Sequence, residues 1–200
     1  MWLVACRKAL FATGLVFLLG TSGRAQSPQR ATDGRFVVYT ASSADLESLG
    51  AVFPVLQEAA RDLRQDRGFQ LPKTVTVRVD PTLTAFEAAT GQPWYVAATA
   101  DRDAATLHVQ RLRVLSERGS LEATLRHELF HLAQPERLPR WRAEGAAMRF
   151  AGERPAAAPF AGLSEADLNA RLAAPRSAEA YARAAATAWL WTGRESRTSR

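Results

Sequence analysis

Leu125-Arg126-His127-Glu128-Leu129-Phe130-His131-Leu132 is the stretch from which the rest of the chain can be read. Leu125, Leu129 and Leu132 recur at intervals of four and three, the spacing of one apolar face of an α-helix. His127 and His131 are four residues apart and stack one turn above the other on a different face. Histidines so placed can turn both imidazoles toward one ion. Zinc takes neutral imidazole readily, with three protein ligands and one open position when it is catalytic. Glu128, beside the first histidine, falls where its carboxylate reaches a water held at that position. Such a helix would anchor in a core by one side and present ligands on the other. The same pattern admits a plainer reading, two partly buried histidines with no ion between them.

A third ligand has to come from another segment. The metzincin pattern puts glycine three residues after the second histidine and histidine three further on, but Gln134 and Arg137 stand there. The next segment, Leu138-Pro139-Arg140-Trp141-Arg142-Ala143-Glu144-Gly145-Ala146-Ala147, offers Glu144. Pro139 suits the start of a new helix, and Glu144 lies about one turn into it. Gly145, Ala146 and Ala147 are small enough for two helices to approach closely. The alternative for Glu144 is a solvated helix charge.

Working outward, the segment before this one is rich in strands. Arg35 to Thr40 is β-branched and aromatic, and Lys73 to Val79 alternates until Asp80-Pro81. Between them, helical spacing runs from a cap at Ser43 to Arg67-Gly68, with Pro54 predicting a kink or break near Val52. Thr82 to Thr90 suits a short helix ended by Gly91. Trp94 to Ala98 and Ala105 to Val109 suit two short strands around a turn at Asp101 to Asp103. Afterwards the chain turns helical at Leu121 to Gln134, Pro139 to Gly152, Glu165 to Ala173 and Ala178 to Trp191. Strands first and helices later predict an α+β domain, a small sheet beside a helical half. The expected organisation is a leader at 1–25, a flexible entry at 26–34, one domain at 35–192 and a disordered tail at 193–200.

The leader reading rests on Arg7 and Lys8, the apolar run Ala9 to Leu19, and small residues around Arg24. A cationic start, a short greasy middle and a small-x-small exit describe a secretory signal peptide. The run is about half the ~20 residues that a membrane span needs. The mature chain is therefore expected to begin near Gln26 and to be secreted or periplasmic. Composition excludes other classes. Hydrophobic residues make up 47% and charged residues 23%, the balance of a chain with a real core rather than a disordered one. The net charge of +6 includes three cations in the leader, so the remainder carries no basic footprint for nucleic acid. The single cysteine, Cys6, lies in the leader, which excludes a disulfide scaffold and thiol chemistry in the mature domain.

With both segments in view, the chain resembles the peptidase MA-like gluzincins, bacterial metallopeptidase domains of the thermolysin-related zincin clan. The likeness is carried by His-Glu-x-x-His at His127 to His131 and by Leu-Pro-x-Trp-x-x-Glu-Gly-x-Ala from Leu138 to Ala147. It extends less specifically over Phe36 to Thr40, Val75 to Asp80, Phe86 with Gly91, and Trp94 onward to Thr106-Leu107-His108-Val109. The resemblance implies His127, His131 and Glu144 as zinc ligands and Glu128 as catalytic carboxylate, in an enzyme that hydrolyses peptide bonds of peptide or protein substrates. It also implies a downstream tyrosine or histidine that steadies the developing oxyanion. Tyr181 is the candidate, the other reading being that it packs with Trp189 and Leu190. The strand before the motif helix borders the cleft in zincins, a part that Ala105 to Val109 would play; His108 within it reads as a strand residue. Relatives brace the first histidine with an acid four residues after the third ligand. Met148 stands there, so that brace is unassigned. The competing expectation is an inactive zincin-like module that binds a peptide or a protein partner.

Overall fold

Phe36-Val37-Val38-Tyr39-Thr40 and Val75-Thr76-Val77-Arg78-Val79 both alternate, and in each strand every second side chain is buried. These are the second and third strands of a five-stranded sheet. The computed structural model describes residues 28–198; the expected leader at 1–25 lies outside the described residues. In chain order the strands are β1 (Gln29–Asp33), β2 (Phe36–Thr40), β3 (Val75–Val79), β4 (Ala98–Asp101) and β5 (Thr106–Val109). The helices are α1 (Ser43–Leu46), α2 (Leu49–Arg67), α3 (Leu83–Thr90), α4 (Leu112–Glu117), α5 (Leu121–Ala133), α6 (Arg140–Phe150), α7 (Glu165–Ala173) and α8 (Ala178–Thr198). The fold class is α+β, as the sequence predicts.

The sheet order is β1-β2-β3-β5-β4. β2, β3 and β5 run parallel, while β1 and β4 lie antiparallel on the two edges. Parallel neighbours need a crossover, and α1 with α2 supplies the one from β2 to β3. The inward side chains Val38, Val77 and Leu107 meet Leu56 and Leu63 of α2 and Leu125 and Leu129 of α5. Each fully buried aliphatic side chain contributes on the order of 1.5–3 kcal/mol. A second, smaller core joins α6, α7 and α8 through Trp141, Leu168, Leu172, Ala184 and Ala188. Among the described residues no helix is long and apolar enough to cross a membrane.

Four local expectations need correction. The entry at 26–34 is not wholly flexible, because Gln29–Asp33 is β1, paired with β2. Gly34, at φ +59°, opens a two-residue loop whose left-handed start suits a tight hairpin. β1 is nearly all exposed, so it carries no apolar alternation to betray it. The helix break falls at Glu47 and Ser48, ahead of Val52, and Pro54 lies inside α2. β4 begins at Ala98, where the sequence reading ended its strand. The tail is helical to Thr198, because α8 continues along α6. There Arg142 pairs with Glu195, and the Arg149 guanidinium donates to Thr192 Oγ1 and to the Trp189 carbonyl.

α6 and α8 approach closely at Gly145. A Cβ built there would meet the Ala188 carbonyl oxygen and lie 2.6 Å from Thr192 Oγ1. The small residue therefore serves the contact with α8, while Ala147 belongs to the core shared with α5. Helix propensity alone would make Gly145→Ala stabilising by about 1 kcal/mol. The clash, which involves backbone that cannot rotate away, instead gives an expected loss of about 1–3 kcal/mol, measurable as a lower midpoint in urea unfolding.

Candidate metal centre

α5 is held on three sides before any of its polar residues is considered. Leu125 and Leu129 are fully buried against the sheet. Phe130 packs between Phe69 and Phe150, with ring centroids 5.7 and 5.8 Å away. Arg126 ties the helix to α2 through Asp62 Oδ2 at 2.7 Å, and its guanidinium lies over the Phe150 ring of α6. Anchored in this way, α5 turns His127, Glu128 and His131 toward α6.

Glu144 meets them there. Its Oε2 lies 3.5 Å from His127 Nε2 and 3.8 Å from His131 Nε2. The three candidate ligand atoms all lie within 4.8 Å of one another. Ligands about 2.1 Å from a tetrahedral zinc stand about 3.4 Å apart, so the observed separations suit one ion with little movement. The outer ring nitrogens support the same fit. His127 Nδ1 lies 3.0 Å from Glu153 Oε1, and His131 Nδ1 lies 3.3 Å from Gln134 Oε1. A proton on each Nδ1, donated outward, leaves both Nε2 lone pairs free and convergent, the tautomer a metal requires. The donor set of two imidazoles and a carboxylate is one that zinc accepts.

The electrostatics follow from burial. His127, Glu128 and Glu144 are each no more than 9% exposed. Without an ion, burial disfavours a charged His127, yet hydrogen bonds to Glu144 and Glu153 hold its pKa well above 6.5. Burial lowers His131 to about 4. Burial would also raise Glu144, but the two histidines beside it bring it down to about 2. Burial raises Glu128 to about 7, an effect that the neighbouring His127 and the Ala100 backbone amide partly offset. The carboxylates on either side of His127 thus favour positive charge at this point of the cluster.

Tyr181 of α8 lines the same cavity, of about 300 Å³, as His127, Glu128, His131 and Glu144. The nearby charge of Glu144, then burial, raises its pKa well above 10, so it is a hydroxyl donor at neutral pH. It stacks at 6.3 Å on Tyr95, whose hydroxyl donates to the Pro175 carbonyl at 3.4 Å. A second hollow, of about 310 Å³, continues past Tyr181 and shares the His127 and Glu128 walls. The strand that borders this groove is β4, not β5. β5 lies inside the sheet between β3 and β4, whereas β4 has one free edge. His108 projects from the other face of β5 and faces Asp80 at 3.3 Å. Trp141 is buried against Trp191, away from the cavity lining, and Trp94 is 63% exposed.

Two partners of the cluster escaped sequence reasoning. Gln134 stands where the metzincin glycine would be, and was read only as a departure. Glu153 takes the place of the missing acid at Met148 from outside the helix. Gly152, at φ +72°, ends α6 in a left-handed turn, and the Glu153 amide donates back to the Met148 carbonyl. That turn folds Glu153 onto His127. The signal in the sequence was the glycine after a helix followed by an acid, a pattern too common to decode alone.

Replacing Glu153 with Ala should weaken zinc binding about 10–100-fold, read by competition with a chromophoric chelator, while leaving the far-ultraviolet circular dichroism unchanged. Zinc binding should also release about one proton, since His127 must lose its own. Apparent affinity should therefore climb with pH, by about tenfold per unit, until pH passes the raised pKa of His127. Calorimetry in buffers of different ionisation enthalpy counts that proton directly. No family model, no curated protein and no solved structure matches this chain.

Proposed function

We propose that this chain is a zinc-dependent metallopeptidase, with His127, His131 and Glu144 as ligands and Glu128 as general base. The observation that carries the reading is the convergence of two outward-braced imidazoles and one carboxylate on a single point at the wall of a cavity. The ion would supply Lewis acidity, lowering the pKa of a water and polarising the carbonyl under attack. Glu128, next to His127 and held near pKa 7 by burial, is matched to accept the proton of the attacking water and pass it to the leaving amine. Tyr181, kept protonated and facing the cavity, donates a hydrogen bond to the carbonyl oxygen as charge builds there.

The free edge of β4 supports a peptide as the substrate. An extended chain can add to it antiparallel, pairing with the outward-facing backbone groups of β4 beside the Ala100 amide that serves Glu128. The groove on both sides of the cluster leaves room for residues before and after the bond that breaks. The expected leader at 1–25 makes exported proteins and peptides the natural substrates.

Glu128→Gln and Glu144→Ala separate the roles. The first should abolish hydrolysis of a mixed peptide library, by at least about 10²–10⁴-fold, with one equivalent of zinc retained in metal analysis. The second should lose zinc. Turnover that survives Glu128→Gln, or full zinc content in Glu144→Ala, contradicts the assignment. Chelation followed by zinc readdition should remove and restore activity of the parent protein.

A further inference from the structure

Two arginines stand in the cavity wall without a role in the chemistry above. Arg102 opens the four-residue turn between β4 and β5, and Arg140 is the first residue of α6. Both line the cavity that holds His131 and Glu144. They come from different elements. Arg102 Nη1 reaches the Pro135 carbonyl at 3.5 Å, so its head group lies against the joint that leads from α5 to α6. Arg140 is exposed, yet near enough to the cluster to depress the pKa of both His131 and Glu144.

What distinguishes the pair is position: they are the two arginines in the lining of this cavity, and neither is held in an ion pair. Arg111, Arg113, Arg126 and Arg142 each make an ion pair with an acid at 2.7 Å or less. Among the described residues neither Arg102 nor Arg140 takes part in one. The acids nearest Arg102 in sequence are occupied or remote from the cavity lining: Asp101 Oδ1 accepts from the Ala104 amide, and Asp103 is exposed on the turn. The acids that do line the cavity, Glu128 and Glu144, belong to the cluster with His127 and His131. Two guanidiniums without an ion-pair partner therefore border the cleft, where an anion would be both attracted and gripped in a planar fork.

We propose that Arg102 and Arg140 are specificity residues that select peptide substrates bearing a carboxylate near the scissile bond. The proposal rests on the peptidase reading and deepens it by naming the substrate class. The carboxylate has two possible sources, an acidic side chain or a free C-terminus, and both present the same bidentate oxygen pair.

The test uses the full mature protein and acetyl-capped hexapeptides in which Glu replaces Gln at each position in turn. Each peptide is made with a free and with an amidated C-terminus. In the zinc-loaded parent, kcat/KM should be about 10–100-fold higher for a carboxylate-bearing peptide than for its amide counterpart, mainly through KM, and the ratio should shrink in 0.5 M salt. Arg102→Gln and Arg140→Gln should each reduce that ratio, and the double variant should bring it near one. Arg140→Glu should turn the preference toward peptides with Lys in the same position. A preference confined to Glu side chains assigns the source to acidic sequences, and one confined to free termini assigns it to chain ends. Calorimetric binding of the same peptides to zinc-loaded Glu128→Gln protein gives a readout independent of turnover. A parent that does not discriminate, or a preference that survives the double variant, overturns the proposal. If no peptide is cleaved but carboxylate peptides still bind through the two arginines, it is the peptidase reading that fails.

Discussion

Everything in the site turns on one contact between helices, the carboxylate of Glu144 set between the imidazoles of His127 and His131. A buried carboxylate is costly unless it is matched by charge or hydrogen bonds. Here two rings from α5 supply the match, and the rings are themselves fixed from behind by Glu153 and Gln134. Without a cation, a proton on His127 does the same work less symmetrically, favouring Glu144 and Glu153 and leaving His131 neutral.

That contact can form only because the apolar parts of the molecule present both helices correctly. α5 belongs to the core of the sheet, through Leu125 and Leu129. α6 belongs largely to the helical half, through Trp141 and the close passage at Gly145. Arg126, paired with Asp62 and lying over Phe150, reaches from one to the other. The cleft lies where these two halves meet, with β4 as one lip and α8, carrying Tyr181, across from it.

Sequence reading recovered what is encoded locally. The spacing of the two histidines in α5, the separate glutamate of α6, the alternation in β2 and β3 and the short helix ended by Gly91 all rest on patterns within a few residues. What it missed depends on distant partners. β1 has no apolar face of its own and exists because β2 offers an edge. The last turns of α8 look like polar tail until Arg142 and Arg149 of α6 come alongside. β4 took the place expected of β5 because strand order within a sheet is not written in chain order. Glu153 reaches His127 only after a left-handed turn at Gly152 has brought the chain back. Tyr181 stands in the cavity wall and also packs against the second core, a double placement that its local sequence does not reveal.

The two apolar cores share few buried side chains, and the metal centre spans the seam between them. An ion held there would be gripped from α5 on one side and α6 on the other, as a rivet between the two cores. Its binding free energy would then add to the unfolding of both at once. Such a rivet would couple the unfolding of the helical half to that of the sheet and α2.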